Sequence, residues 1–237
     1  MPLMTRLAWK PVSRATARFA FAALLFGIGM SAASAAANQA SATPQSVTGP
    51  TISFRKIFKS SYPEFTEIKV TQSGACTADI RALDDEPSPQ ACEIGQAMAE
   101  KIFSLAARLH DFNGVDLDIH RRIANLGTKT LQYENGTEKH SVTFNYTLDE
   151  TASQLESIFE GLARQEMDAS DLRRTMQYDR LGVNDVLIRI EADYAGKLLP
   201  EPERLLPLLD QIADDDKYID LARQKARMLA GKIRGTA

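Results

Sequence analysis

Between residues 65 and 82 polar and apolar positions alternate with period two in two short runs. Ile68 and Val70 alternate with Glu67, Lys69 and Thr71, and Ala78 and Ile80 alternate with Thr77, Asp79 and Arg81, the spacing of half-buried strands. A three-residue loop at Ser73-Gly74-Ala75 sets Val70 against Ala78 and Ile68 against Ile80. A two-residue loop would set Val70 against Thr77 and mix the faces, so the pattern selects the longer turn. Ser88 and Pro89 then open a helix with an apolar stripe of Ile94, Met98, Ile102, Leu105 and Leu109.

A second unit of the same kind follows. Asn135-Gly136 between two alternating runs is a strong hairpin signal. A type I′ turn there pairs Glu134 with Thr137, so that Tyr133 faces Glu138, Leu131 faces His140 and Lys129 faces Val142. Phe144 and Tyr146 continue that buried side. The other face carries Thr128, Thr130, Gln132 and Glu134 against Thr137, Lys139, Ser141, Thr143 and Asn145, with no apolar residue. Thr147 to Glu150 reads as a capping box for a helix with Leu155, Ile158, Phe159 and Leu162 on one side.

The order hairpin, helix, hairpin, helix predicts an α+β fold. Its expected form is a two-layer, four-stranded antiparallel sheet over residues 51–166, with both helices on the apolar face. Residues 167–237 read as an α-helical C-terminal region. Asp168 caps a helix carrying Leu172 and Met176, and Asn184 caps one with Val186, Leu187, Ile190 and Tyr194. Glu201-Pro202 opens a Leu-rich helix bent near Pro207. A last helix, about Lys217 to Ile233, turns Ile219, Ala222, Ala226, Leu229 and Ile233 inward. The segment Pro202-Glu203-Arg204-Leu205-Leu206-Pro207-Leu208-Leu209, followed by Ala222-Arg223-Gln224-Lys225-Ala226-Arg227-Met228-Leu229, resembles one helical pair of HEAT-type repeats. The resemblance implies a helical cap on the sheet domain with a surface suited to proteins.

The N-terminus changes the picture from a fold to an address. Arg6, Lys10, Arg14 and Arg18 precede the apolar run Phe19 to Met30, and small residues end in Ala35-Ala36-Ala37. A basic region, a short apolar region and an A-x-A site read as a signal peptide over 1–37, cut after Ala37 or Ala35. The alternative is an uncleaved anchor at Phe19 to Ala37, although a span needs about 20 strongly apolar residues. Residues 38–50 read as a flexible leader. Removing residues 1–37 takes four of the 28 basic residues and none of the 31 acidic ones, leaving a net charge of −7. That balance argues against nucleic acid as a partner, which calls for clustered Lys and Arg. Cys76 and Cys92 both lie in the exported part, where pairing is the default, with two buried thiols the alternative.

The candidate chemistry is sparse. Asp116, Asp118 and His120 alternate and as a strand would share one side, a weak metal set without a distant ligand pair; the competing reading is a solvated edge or linker. His140 shares the apolar face with Leu131 and Tyr133 and lacks a nucleophile there, because Ser141 and Thr143 point the other way. The hydroxyl and amide face of the second hairpin, Thr128, Thr130, Gln132, Ser141, Thr143 and Asn145, is the possible binding face; it also reads as an ordinary water-facing side. No catalytic residue and no cofactor is expected. The expected function is a non-catalytic binding or structural protein, periplasmic or secreted, with another envelope or extracellular protein as partner. The alternative is a secreted hydrolase with a dispersed, metal-assisted site near His120 or His140.

Overall fold

The computed structural model describes residues 49–235; the expected signal peptide, 1–37, and residues 38–48 of the expected leader lie outside the described residues. The fold is α+β with a helical C-terminal part, and its sheet has six antiparallel strands rather than four. The strands are β1 (Thr51–Ile57), β2 (Phe65–Thr71), β3 (Ala75–Arg81), β4 (Gln90–Glu93), β5 (Thr128–Asn135) and β6 (Glu138–Phe144), in the order β4-β3-β2-β1-β5-β6. β1 lies between the two hairpins and joins them, pairing with β2 on one side and β5 on the other. β4 adds an edge beyond β3, where Ser88 and Pro89 were expected to open a helix; the helix α1 (Gln96–Arg108) starts only after it.

Both hairpin registers differ from expectation by two residues. In the first, Val70 pairs with Cys76 and Ile68 with Ala78. The loop is Gln72-Ser73-Gly74, because the left-handed backbone falls on Gly74, at φ +86°, the third loop position of a bulged hairpin turn. In the second, Asn135 pairs with Glu138, Tyr133 with His140 and Leu131 with Val142. Of the loop residues Gly136 alone has positive φ, at +60°, so the turn is Gly136-Thr137 with its glycine first, the type II′ pattern. A shift of two preserves side-chain alternation, and the expected faces therefore survive.

The inner face carries rows that cross the sheet. Val142, Leu131, Phe54, Ile68 and Ala78 form one, and His140, Tyr133, Ile52, Val70, Cys76 and Cys92 another. Against them pack α1 and the first half of α2 (Glu150–Tyr178), with Phe159 stacked on Phe54 at 5.5 Å between ring centroids. Asp149, not Thr147, caps α2, its carboxylate accepting from the Ala152 amide at 2.8 Å. Thr147 instead accepts from the Asp149 amide.

α2 runs unbroken through the position where one helix was expected to end and Asp168 to cap another. No Gly or Pro interrupts it there, and its apolar stripe changes partner. Leu155 to Ala163 face the sheet core, while Ala169 and Leu172 join a second core with α3 (Val183–Ala195), α4 (Leu206–Asp214) and α5 (Asp220–Arg234). The pair resembling a HEAT repeat forms α4 and α5. Ile219, expected to point inward, precedes α5 and is exposed, whereas Ala222, Ala226 and Leu229 are buried as expected.

The connection between the two cores is polar and close. Gln165 and Glu201 exchange hydrogen bonds, side-chain amide to backbone, at 2.8 and 3.2 Å. The Glu201 carboxylate accepts from the Gly95 amide at 2.8 Å, serving α1 as a cap supplied from the helical part. At Gly161 a Cβ would sit 2.8 Å from the Leu198 carbonyl oxygen and 2.9 Å from the Pro200 ring. Gly→Ala inside a helix ordinarily stabilises by about 1 kcal/mol. Here Gly161→Ala is expected to destabilise by about 1–3 kcal/mol through overpacking, read from urea unfolding. A more stable variant would refute the close approach. Among the described residues no helix is long and apolar enough to cross a membrane.

Candidate functional site

α2 crosses the inner face obliquely. Glu156 meets Lys129 of β5, Glu160 one turn later meets Lys56 of β1, and Ala163 and Met167 then pass the β1–β2 end of the sheet. By β3 and β4 the helix presents the polar Glu166, Ser170 and Arg173 beside Met167, and the strands present the small Cys76, Ala78 and Cys92 with Gln90 and Ile80. Small residues facing polar ones leave a gap. It is an open groove of about 1130 Å³, with Arg204 in its lining.

Its floor is locked. Cys76 and Cys92 are directly opposite across β3 and β4 and form a disulfide, with Cα atoms 4.8 Å apart. Arg204 donates to Glu166, holding that carboxylate on the groove wall.

A smaller cavity of about 370 Å³ adjoins the groove and shares Tyr62, Met167 and Asp171 with it. Its sheet side is Phe54, Phe58 and Pro63; its helix side holds Arg164, Asp168, Arg189 and Asp193. Arg189 donates to Asp168 at 2.9 Å and to Asp171 at 2.7 Å, and Arg164 to Asp193 at 3.3 Å. Asp168 is 2 % exposed. Burial pushes its carboxyl up to about 6, against the pull of Arg189 and with a smaller push from the Asp193 charge.

The raised value has a consequence for stability. The folded state binds this proton more tightly than the unfolded chain, so the contribution is full below the ordinary carboxylate range and is lost as pH rises through about 6. The difference amounts to about 3 kcal/mol. Asp168→Asn, which cannot ionise, is expected to gain on the wild type by about 2–3 kcal/mol between pH 4 and pH 7 in urea unfolding. Parallel curves for the two proteins would contradict the burial of the charge.

Asp116, Asp118 and His120 lie in an irregular segment rather than a strand. His120 Nε2 is 2.7 Å from Asp116 Oδ2, and Nδ1 is 3.6 Å from Asp118 Oδ2. The Asp116 hydrogen bond raises His120 above its ordinary value and lowers Asp116, while the Asn145 amide does most to lower Asp118. The arrangement can orient an imidazole, but His120 and Asp116 are about 70 % exposed. Among the described residues no group of three or more such side chains is placed to hold a metal ion. His140 lies beside Tyr133, ring centroids 6.4 Å apart, with Glu138 3.7 Å from Nε2.

The hydroxyl and amide face is part of a polar outer surface as wide as the sheet. Thr143, Thr130, Arg55, Glu67 and Asp79 form one of its rows, and Ser141, Gln132, Ser53, Lys69 and Thr77 the next. Many of its groups bond one another: Thr130 with Thr143 at 3.0 Å, Arg55 with Glu67 at 2.7 Å, and Lys139 with Glu134. Asn145 is engaged by the backbone of Ala124 and Leu126, and Thr128 is exposed.

The fold and groove define a two-layer α+β protein with a helical extension and a cleft along the shared helix. No family model matches the chain, and no curated protein matches it.

Proposed function

We propose that this chain is an exported, non-catalytic binding protein of the cell envelope or the extracellular space, and that the groove between β3–β4 and α2 is its ligand seat. The observation that carries the reading is the groove itself: a wide concave surface over a disulfide-locked edge pair, between two separately packed cores. At about 1130 Å³ it exceeds the usual 300–1,000 Å³ of small-ligand pockets and suits an extended segment of another envelope or extracellular protein. The signal pattern of residues 1–37 and a structural disulfide both suit an oxidising compartment. Crosslinking pull-down of the tagged protein from its native compartment is expected to recover a specific partner. Recovery of none, together with hydrolytic turnover by the purified protein, would overturn the reading.

A hydrolytic reading has one observation in its favour, the Asp116–His120 hydrogen bond. It would be promoted by turnover, or by bound metal, that His120→Ala removes.

A further inference from the structure

We propose that the groove takes its ligand as a seventh strand: an extended peptide segment bearing an acidic side chain, paired with the free edge of β4 beside α2. The inference deepens the groove reading and rests on it for the site.

The main chain of two residues supplies the edge. β4 ends the sheet. The Ile94 amide donates to the Gly74 carbonyl at 2.9 Å, and in the same register Cys92 lies opposite Cys76 and Gln90 opposite Ala78. Hydrogen-bonded pairs recur at every second residue of an antiparallel ladder, so these are the pairs that bond β4 to β3. Ala91 and Glu93, between them, turn their N–H and C=O groups away from β3. Among the described residues no donor or acceptor meets those groups. By parity the side chains of Ala91 and Glu93 belong to the outer face, yet both residues line the groove. The groove therefore reaches round β4 to its open edge. A row of unpaired edge groups is a template for one more strand.

A strand of four residues offers few such bonds, so specificity falls to the ligand side chains that alternate toward α2. There the wall is Met167, Ser170 and Arg173. Glu166 is engaged by Arg204, and Asp171 by Arg174 and Arg189. Arg173 is exposed and, among the described residues, has no ion pair or hydrogen bond. Glu93 has none either, but its side chain falls on the outer parity. The uncommitted charge on the α2 wall is thus positive. A carboxylate on the peptide complements it, the guanidinium fork being matched to two oxygens. Met167 and the Cys76–Cys92 bridge provide apolar contact for the neighbouring side chains.

The probe is a random decapeptide library displayed on phage and panned on the purified protein. Enriched peptides are expected to carry Asp or Glu among apolar residues, and a synthetic copy of the tightest to bind in titration calorimetry with one equivalent. N-methylation of its backbone is expected to weaken binding at least tenfold at alternate positions and less than twofold between them. Arg173→Glu is expected to weaken it at least tenfold. Ala91→Pro is expected to do the same while sparing the ladder, since proline is tolerated where the N–H faces out of an edge strand. On binding, amide exchange at Ala91 and Glu93 is expected to slow at least tenfold.

The proposal is overturned if no peptide is enriched, if N-methylation is tolerated at every position, or if Arg173→Glu binds unchanged. Should Ala91→Pro fold poorly, exchange at 91 and 93 in the wild type decides, and unchanged rates there overturn it. A dimer in sedimentation that Ala91→Pro abolishes would put a second copy on the edge and overturn the peptide assignment. A partner crosslinked from Ser170 with no peptide showing the alternating N-methyl pattern would sink this inference and leave the groove reading. No enriched peptide and no partner from Ser170 would sink both.

Discussion

Glu156→Ala is expected to lower the unfolding free energy by about 3–5 kcal/mol, the cost of stranding a buried charge. Lys129 sits on the inner face of β5, 3 % exposed, with its ammonium 2.6 Å from Glu156 and 3.1 Å from the Asn145 carbonyl. Its cross-strand neighbour is Lys56, so two like charges lie side by side under α2. Glu156 and Glu160, one helical turn apart, neutralise them in turn. Without Glu156 the buried ammonium keeps one carbonyl and faces another cation. Lys129→Met removes the charge while keeping the volume, and Lys129→Met with Glu156→Leu is expected to lie near the wild type, since a buried pair exchanged for apolar groups is often neutral. Urea unfolding of the three variants checks this. Equal losses in all three would show that packing at this point, rather than charge pairing, sets α2 on the sheet.

Replacing both Cys76 and Cys92 by serine is expected to cost about 3 kcal/mol by the loop-closure account, and to cost binding as well. The bridge spans a sequence separation of 16 and holds β4, a strand of four residues, to β3. Gln90, Ala91 and Glu93 are exposed and bury little of their own. A strand so short depends on its crosslink, and β4 is one wall of the groove. The expected result is therefore a lower melting temperature together with faster hydrogen exchange at 90–93, while exchange at β1 and β5 keeps its protection. Uniform loss across the sheet would contradict a local role.

The faces of this sheet were legible because a face depends only on parity. Ile68, Val70, Leu131 and Tyr133 fall inward whichever neighbouring register a turn selects, provided it moves by two. The register itself depended on which residue takes positive φ, and Gly74 and Gly136 occupy different loop positions from those that the three-residue loop at 73–75 and the Asn-Gly dipeptide suggest. β1 carries the alternation Ile52-Ser53-Phe54-Arg55, yet its central place rests on pairing with β5 some 80 residues away. Nothing local records that. β4 has no β-branched residue; its trace in the sequence is Cys92, once it is paired with Cys76.

The groove was less legible than the fold, because its walls come from β3, β4, α2 and Arg204, far apart along the chain. One signal was present. Glu166, Ser170 and Arg173 recur at helical spacing between two apolar stripes of α2, marking a face that neither core covers. In the sequence Asp168 resembles a cap because Asp suits helix starts; its burial depends on α3, which brings Arg189 against it from a distant part of the chain. The polar outer face was predicted from one hairpin and extends across the sheet, where cross-strand pairs satisfy many of its groups.

The groove reading is tested most directly by a photo-activated crosslinking residue placed at Ser170, on the groove wall, and separately at Thr143, on the outer sheet face, in the native compartment. Both positions are exposed and neither lies in a core. The prediction is a discrete adduct from position 170 and none from position 143. An adduct from 143 with none from 170 would move the binding surface to the outer face and contradict the account.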